Sequence, residues 1–136
     1  MSSPTNIMSQ CNARDLPNLD IAVLSALELF KNSKLPELEL GNYKRPLVVG
    51  SGNAAITGKI LLRNADAVFA DESTYQHILD TIPMIDGAIL ISAAGGKHAV
   101  SIAKYLQEKK IETKLITCNQ EAPAKKYIQS EKCFVF

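Results

Sequence analysis

Gly50-Ser51-Gly52-Asn53-Ala54 and Ser92-Ala93-Ala94-Gly95-Gly96-Lys97-His98 are the two stretches of this chain whose residue types and spacing could do chemistry. Each follows an apolar, strand-like run and opens a helix-like one. Such a junction offers backbone N–H groups at the positive end of a helix dipole, and glycine lets that backbone approach a ligand without a Cβ in the way. The ligand class this selects is a sugar phosphate or a nucleotide phosphate. The binding candidates are Gly50, Ser51, Gly52, Asn53, Ser92, Ala94, Gly95, Gly96 and Lys97.

The elements that must position these loops alternate regularly. Leu47 to Val49 reads as a buried strand, and Asn53 to Arg63 as a helix burying Ile56, Ile60 and Leu61. Ala67 to Ala70 is a second strand. Ser73 or Thr74 can cap the next helix, which carries Tyr75, Ile78, Leu79 and Ile82 on one face and is stopped by Pro83. Ala88 to Ser92 is a third strand, followed by a helix burying Ala99, Ile102, Ala103 and Leu106 and ending in Lys109 and Lys110, which suit the negative end of its dipole. Lys114 to Cys118 makes a fourth strand. A short helical stretch around Pro123 to Gln129 leads to a fifth, Lys132 to Phe136.

Continuous apolar strands separated by helices of about three turns call for a parallel sheet covered on both faces, joined by right-handed crossovers. The expected fold is α/β, a three-layer α/β/α sandwich with a five-stranded parallel sheet in flavodoxin-like order 2-1-3-4-5. Ligands in such folds sit beyond the C-terminal strand ends, where the strand order reverses. Here that point lies between strands one and three, which carry the two loops.

Residues 1–17 are polar and aperiodic and read as a flexible arm. Residues 18–45 read as an amphipathic helix, N-capped by Asn18 and carrying Leu19, Val23, Ala26, Leu27 and Phe30 on one face, plus a connection containing Pro36 and Gly41. Residues 46–136 form the α/β domain. Its last strand ends the sequence with no following helix, which leads us to expect further chain or a partner subunit on that edge.

Bulk properties exclude several classes. A chain of 136 residues, 46% hydrophobic, suits one domain with a real core. Its 15 basic and 14 acidic residues are scattered and leave a net charge of +1, so nothing invites nucleic acid or an anionic membrane. No apolar run approaches the roughly 18 residues that span a bilayer, and no secretory pattern opens the chain, so a cytoplasmic protein is expected. Cys11, Cys118 and Cys133 form neither a CxxC nor an even set and read as reduced thiols, with Cys118 as small apolar filler at a strand end. No metal site and no cofactor is expected.

The order of strand, glycine loop, helix, strand ending "ADESTY", strand ending in a serine-glycine loop, helix, and strand ending in Cys-Asn resembles the SIS (sugar isomerase) domain over roughly residues 46–136. The resemblance implies a flavodoxin-like sandwich that binds phosphorylated sugars, in isomerases and in sugar-sensing regulators. Gly50 to Asn53 match that family's first loop. Asp71, Glu72 and Tyr75 approximate an acidic pair before an aromatic residue, and Ser92 and Gly95 map onto its phosphate loop of the type Ser-x-Ser-Gly-x-Thr. Ala94 and Lys97 depart from that pattern, removing two neutral donors and adding a cation. An aldose–ketose isomerisation needs a base to move a proton between adjacent carbons, and an acid to open the ring or stabilise the enediolate. Glu72 and His98 are the available catalytic candidates, His98 at a helix N-terminus. Both also read as ordinary surface residues, as does His77. The resemblance further implies that a homodimer or a further SIS domain completes the site.

Two other readings stand beside it. Gly50-Ser51-Gly52-Asn53-Ala54-Ala55 satisfies GxGxxA after a strand, and Asp71 or Glu72 falls about 20 residues later, where an NAD(P)-binding Rossmann domain holds a ribose hydroxyl. The third reading is a non-catalytic sugar-phosphate sensor.

Overall fold

Five apolar runs become five parallel strands: β1 (Pro46–Val49), β2 (Val68–Ala70), β3 (Gly87–Ile91), β4 (Thr113–Thr117) and β5 (Cys133–Val135). They make one sheet in the order β2-β1-β3-β4-β5. The computed structural model describes residues 18–34 and 37–136 and divides into two units, residues 1–35 and 36–136. The proposed arm, residues 1–17, lies outside the described residues, as does Cys11.

Helices alternate with the strands in the second unit: α2 (Asn53–Leu61), α3 (Tyr75–Thr81) and α4 (Lys97–Glu108). Two 3-10 turns, Pro123–Tyr127 and Ser130–Lys132, replace a crossover helix before β5. The sandwich and its strand order are therefore those the sequence pattern predicts. Every residue of β1 and β3 is buried, as central strands of a doubly covered parallel sheet require. Successive side chains divide between the faces. Leu47, Val49, Ala88, Leu90 and Leu115 pack with Tyr75 of α3, with Ala99, Ile102, Ala103 and Leu106 of α4, and with Ala122, Ala124 and Ile128. Val48, Ile89, Ile91 and Ile116 form the opposite cluster, joined by Leu38, Leu40 and Tyr43.

The face that α2 presents to the sheet differs from the predicted one. Ile56, Ile60 and Leu61 are exposed, at 58%, 61% and 42%, and Gly58 is the residue buried. A Cβ on Gly58 would lie 2.7 Å from Val48 Cγ1 and 3.2 Å from Ile91 Cδ1, so the helix approaches the sheet along its smallest residue. Ala54 and Leu62, four residues to either side, complete that stripe. Cys118 also departs from its predicted role: it lies exposed just past β4 rather than filling the interior, while Cys133 is half-buried and burial raises its thiol pKa.

In the first unit α1 (Leu19–Asn32) is a helix with Asn18 at its N-cap position, but the Asn18 side chain makes no capping bond. Val23, Leu27 and Phe30 are exposed, together with Ile21, Leu24 and Leu29.

Residues 37–45 belong to the α/β unit. The Asp86 carboxylate accepts the backbone N–H groups of Lys44 (2.7 Å) and Arg45 (2.9 Å), and the Tyr43 hydroxyl donates to Glu112 Oε1 at 2.6 Å. The bonds from Lys44 and Arg45 hold the Asp86 carboxyl below the usual carboxylate range, and the Tyr43 bond does the same for Glu112. Carboxyls whose pKa is depressed by folding stabilise the fold above their ordinary pKa, and that contribution is lost as pH falls through the folded value. The melting temperature should thus drop between neutral pH and about pH 3, and Asp86→Asn should flatten part of the slope. Melts followed by circular dichroism check this; an unchanged slope in the variant removes Asp86 from the acid response.

Candidate functional site

At the C-terminal edge of the sheet, between β1 and β3, a cleft of about 50 Å³ is lined by Gly50 and Ser51 from the first loop, Ser92 and His98 from the second, and Glu72 from the turn after β2. Five of the eleven sequence candidates thus meet at one place, the point where strand order reverses. Ala99 and Ile102 of α4 close its base. His98 and Ile102 are one turn apart on α4, so the helix that buries Ile102 also aims His98 at the cleft.

Gly50 donates its N–H to Ala70 O (3.0 Å), tying the first loop to the end of β2. Beyond it, the amides of Ser51, Gly52 and Asn53 have no partner among the described residues. Gly52, at φ +56°, makes the turn into α2. Asn53 is the first residue of that helix, and it lines a larger groove on the sheet face beside α2 instead of the cleft. That groove, about 360 Å³, is walled mainly by apolar residues such as Leu38, Ile91, Ile116 and Phe136. With no carboxylate or imidazole side chain among its lining residues, it offers little proton-transfer chemistry, and the smaller cleft is the better candidate.

Glu72 sits on a turn that Asp71 secures. Asp71 Oδ1 accepts the N–H and the hydroxyl of Ser73 (2.9 and 2.7 Å) and the N–H and the hydroxyl of Thr74 (both 3.0 Å). These bonds hold the Asp71 carboxyl below its usual range, the Ser73 hydroxyl contributing most. Thr74 occupies the N-cap position of α3, yet its hydroxyl turns back to Asp71 and makes no helix cap, contrary to the predicted role. The Glu72 side chain remains exposed and directed to the cleft.

The second loop is braced from the β4 side. Ala93 O accepts from Cys118 N (3.0 Å) and the Thr117 hydroxyl (2.9 Å), Ala94 O from Asn119 Nδ2 (3.0 Å), and Gly95 O from Ala124 N (3.1 Å). Gly95 donates its own N–H to Ser92 Oγ at 3.1 Å, leaving the serine proton free to donate. Gly95 is buried at φ +60°, and a Cβ there would lie 2.4 Å from Ala122 Cβ. Its glycine serves packing within the loop. The amides of Ala94, Gly96 and Lys97 have no partner among the described residues. Gly96 stands at the N-cap of α4 with open space around it, and Lys97 is exposed. Thr117 and Asn119 were not among the site candidates: the sequence marked Asn119 only in the Cys-Asn that ends the fourth strand, and Thr117 is the last residue of β4, the strand adjoining β3.

No protein-family model matches the chain, and no curated protein does. Solved structures do match it. An E. coli CFT073 protein in complex with a sugar phosphate aligns with TM-score 0.52 and 15% identity, covering 89% of this chain and 61% of its own. A Listeria monocytogenes protein named as a candidate sugar-phosphate isomerase aligns with TM-score 0.54 and 20% identity over 81% of this chain and 56% of its own. The fold is one these proteins share. A Clostridium difficile protein named as a candidate phosphosugar isomerase adds TM-score 0.54 at 15% identity, over 84% of this chain and 33% of its own. The chain therefore spans between a third and three-fifths of these proteins. Among the described residues, no helix is long and apolar enough to cross a membrane, and no group of three or more His, Cys, Asp or Glu could hold a metal ion.

Proposed function

We propose that the α/β unit binds a phosphorylated sugar at the β1–β3 cleft and acts as a phosphosugar aldose–ketose isomerase, or as part of one. The observation that carries this reading is the convergence on one cleft of Gly50 and Ser51 from the first loop, Ser92 from the second, and two groups able to move protons, Glu72 and His98. The amides of Ala94, Gly96 and Lys97, unpartnered among the described residues, lie on the second loop outside the residues that line the cleft. The phosphate rests on the Ala94, Gly96 and Lys97 amides, with Ser92 donating its hydroxyl and Lys97 adding charge. Ser51 holds a sugar hydroxyl or a phosphate oxygen. Glu72 transfers the proton between adjacent carbons, while His98 donates a proton to the carbonyl oxygen and recovers one from the neighbouring hydroxyl as that becomes the new carbonyl. A cleft of about 50 Å³ takes one small group of the ligand, so the rest of the sugar lies along the open strand edge, where a second subunit or a further domain covers it.

The fold shared with two proteins named as candidate sugar-phosphate or phosphosugar isomerases, and with a further protein in complex with a sugar phosphate, supports the same class. Of the two acids the dinucleotide alternative could use, Asp71 is already engaged, its Oδ1 serving four donors of its own turn, which leaves that reading Glu72 alone. A thermal-shift panel tests the proposal with arabinose phosphate, other pentose and hexose phosphates, their unphosphorylated sugars, NAD and NADP. Ligand at about 100 times its Kd adds roughly 2.7 kcal/mol. A shift with a sugar phosphate and none with the bare sugar supports the reading; a shift with a dinucleotide alone overturns it. Solvent-hydrogen exchange into the bound sugar then separates an enzyme from a sensor. Ser51→Ala should weaken arabinose phosphate binding by about 0.5–1.5 kcal/mol, measured by titration calorimetry. An unchanged affinity would confine that loop to backbone contacts.

A further inference from the structure

We propose that Asn119 is the positioning residue of the phosphate loop, holding the Ala94–Gly95 peptide so that no carbonyl oxygen faces the anion; this rests on the phosphate reading above. In a trans peptide the C=O and N–H point in opposite directions. Drawing the carbonyl of Ala93 to Cys118, just past β4, and that of Gly95 to Ala124 in the 3-10 turn therefore turns the amides of Ala94 and Gly96 away from those partners, to the side assigned to the ligand. Those two carbonyls are held by backbone donors, Cys118 N and Ala124 N. The carbonyl between them, Ala94 O, rests on one side chain, Asn119 Nδ2 at 3.0 Å.

That peptide has no backbone donor on its carbonyl among the described residues, and turning it changes φ only at Gly95, which has no Cβ to oppose the change, and ψ only at an exposed alanine. Turned over, it would aim Ala94 O at the anion and withdraw the Gly95 N–H from Ser92 Oγ, loosening the serine as well. Asn119 is fixed for its task. Its Oδ1 accepts Glu121 N–H (3.0 Å), which orients the amide group, and its backbone N–H donates to Thr117 Oγ1 (3.2 Å).

Asn119→Asp separates this role from a structural one. It keeps the Oδ1 acceptor for Glu121 and replaces the donor with an oxygen. Asn119→Ala removes both bonds without adding charge. We expect both variants to lose affinity for arabinose phosphate and for inorganic phosphate by the same factor, about tenfold or more. Hydrogen exchange at the Gly95 amide, followed by NMR without ligand, should accelerate about tenfold in both as its bond to Ser92 opens. Wild-type affinity and unchanged Gly95 exchange in Asn119→Asp would overturn the proposal. So would a loss confined to Asn119→Asp, which marks charge repulsion alone. If neither arabinose phosphate nor inorganic phosphate binds the wild-type protein, the phosphate reading falls instead, and the Gly95 exchange still decides whether Asn119 holds the peptide.

Discussion

Gly96→Asp should abolish phosphate binding while leaving the fold slightly more stable. Gly96 is the N-cap of α4, its φ of −82° suits any residue, and a Cβ there meets nothing within 4 Å. Aspartate is among the favoured N-cap residues, because its carboxylate accepts the first orphan amides of the helix; relative to glycine it gains a few tenths of a kcal/mol. Those same amides, at Lys97 and its neighbours, are the ones assigned to the ligand. The variant carboxylate would occupy the anion's place and repel a second negative charge. Titration with arabinose phosphate should show at least a hundredfold loss of affinity, or about 2.7 kcal/mol, with an equal or higher melting temperature. Retained affinity in the folded variant would move the phosphate away from this loop.

Gly95→Ala should do the reverse, breaking the fold locally from a position one residue away. A side chain at φ +60° costs about 1–2 kcal/mol. The new methyl would also overlap Ala122 Cβ at 2.4 Å and crowd Ala122 Cα at 3.3 Å, where overpacking costs about 1–3 kcal/mol. The sum of roughly 2–5 kcal/mol corresponds to a fall in melting temperature of about 10 °C or more for a domain of this size. Calorimetry would read it directly. A drop under about 2 °C would mean that the loop relaxes freely and that contact with Ala122 does not constrain it. The two adjacent glycines thus separate by measurement into one that serves the ligand and one that serves the packing beneath it.

The architecture was legible because β1, β3 and β4 are short, apolar and bounded by turn residues, and because α4 spaces Ala99, Ile102, Ala103 and Leu106 at helical intervals. The packing of α2 was not legible. Hydrophobicity ranks Ile56 and Ile60 above Gly58, whereas close approach to Val48 and Ile91 favours the smallest residue, and that contact exists only once the sheet is built. The site divides in the same way. Gly50, Ser51, Ser92 and His98 stand at strand-to-helix junctions that the sequence pattern marks, and Glu72 lies just past a strand end. Asn119 was visible as the end of the fourth strand but its role was not, since its hydrogen bond to Ala94 joins the loops after β4 and β3 only once those strands lie side by side. Gly95 was visible as a glycine but not as a packing residue, because its neighbour Ala122 is distant in sequence.

The strand order has a kinetic consequence. β1 reaches its second partner, β3, only after β2 and α3 have been traversed, with Pro46 in register with Gly87 and Val49 with Leu90. Neither local turns nor a hairpin can bring those strands together, and non-local pairing of this kind is slow to form. The cleft lies between the ends of these two strands, so an intermediate that has paired β1 with β2 alone holds Ser51 near Glu72 but has no Ser92, no His98 and no anion loop beside them. Recovery of ligand binding after dilution from denaturant should accordingly come no earlier than the recovery of helical signal, making the ligand a reporter of the β1–β3 pairing.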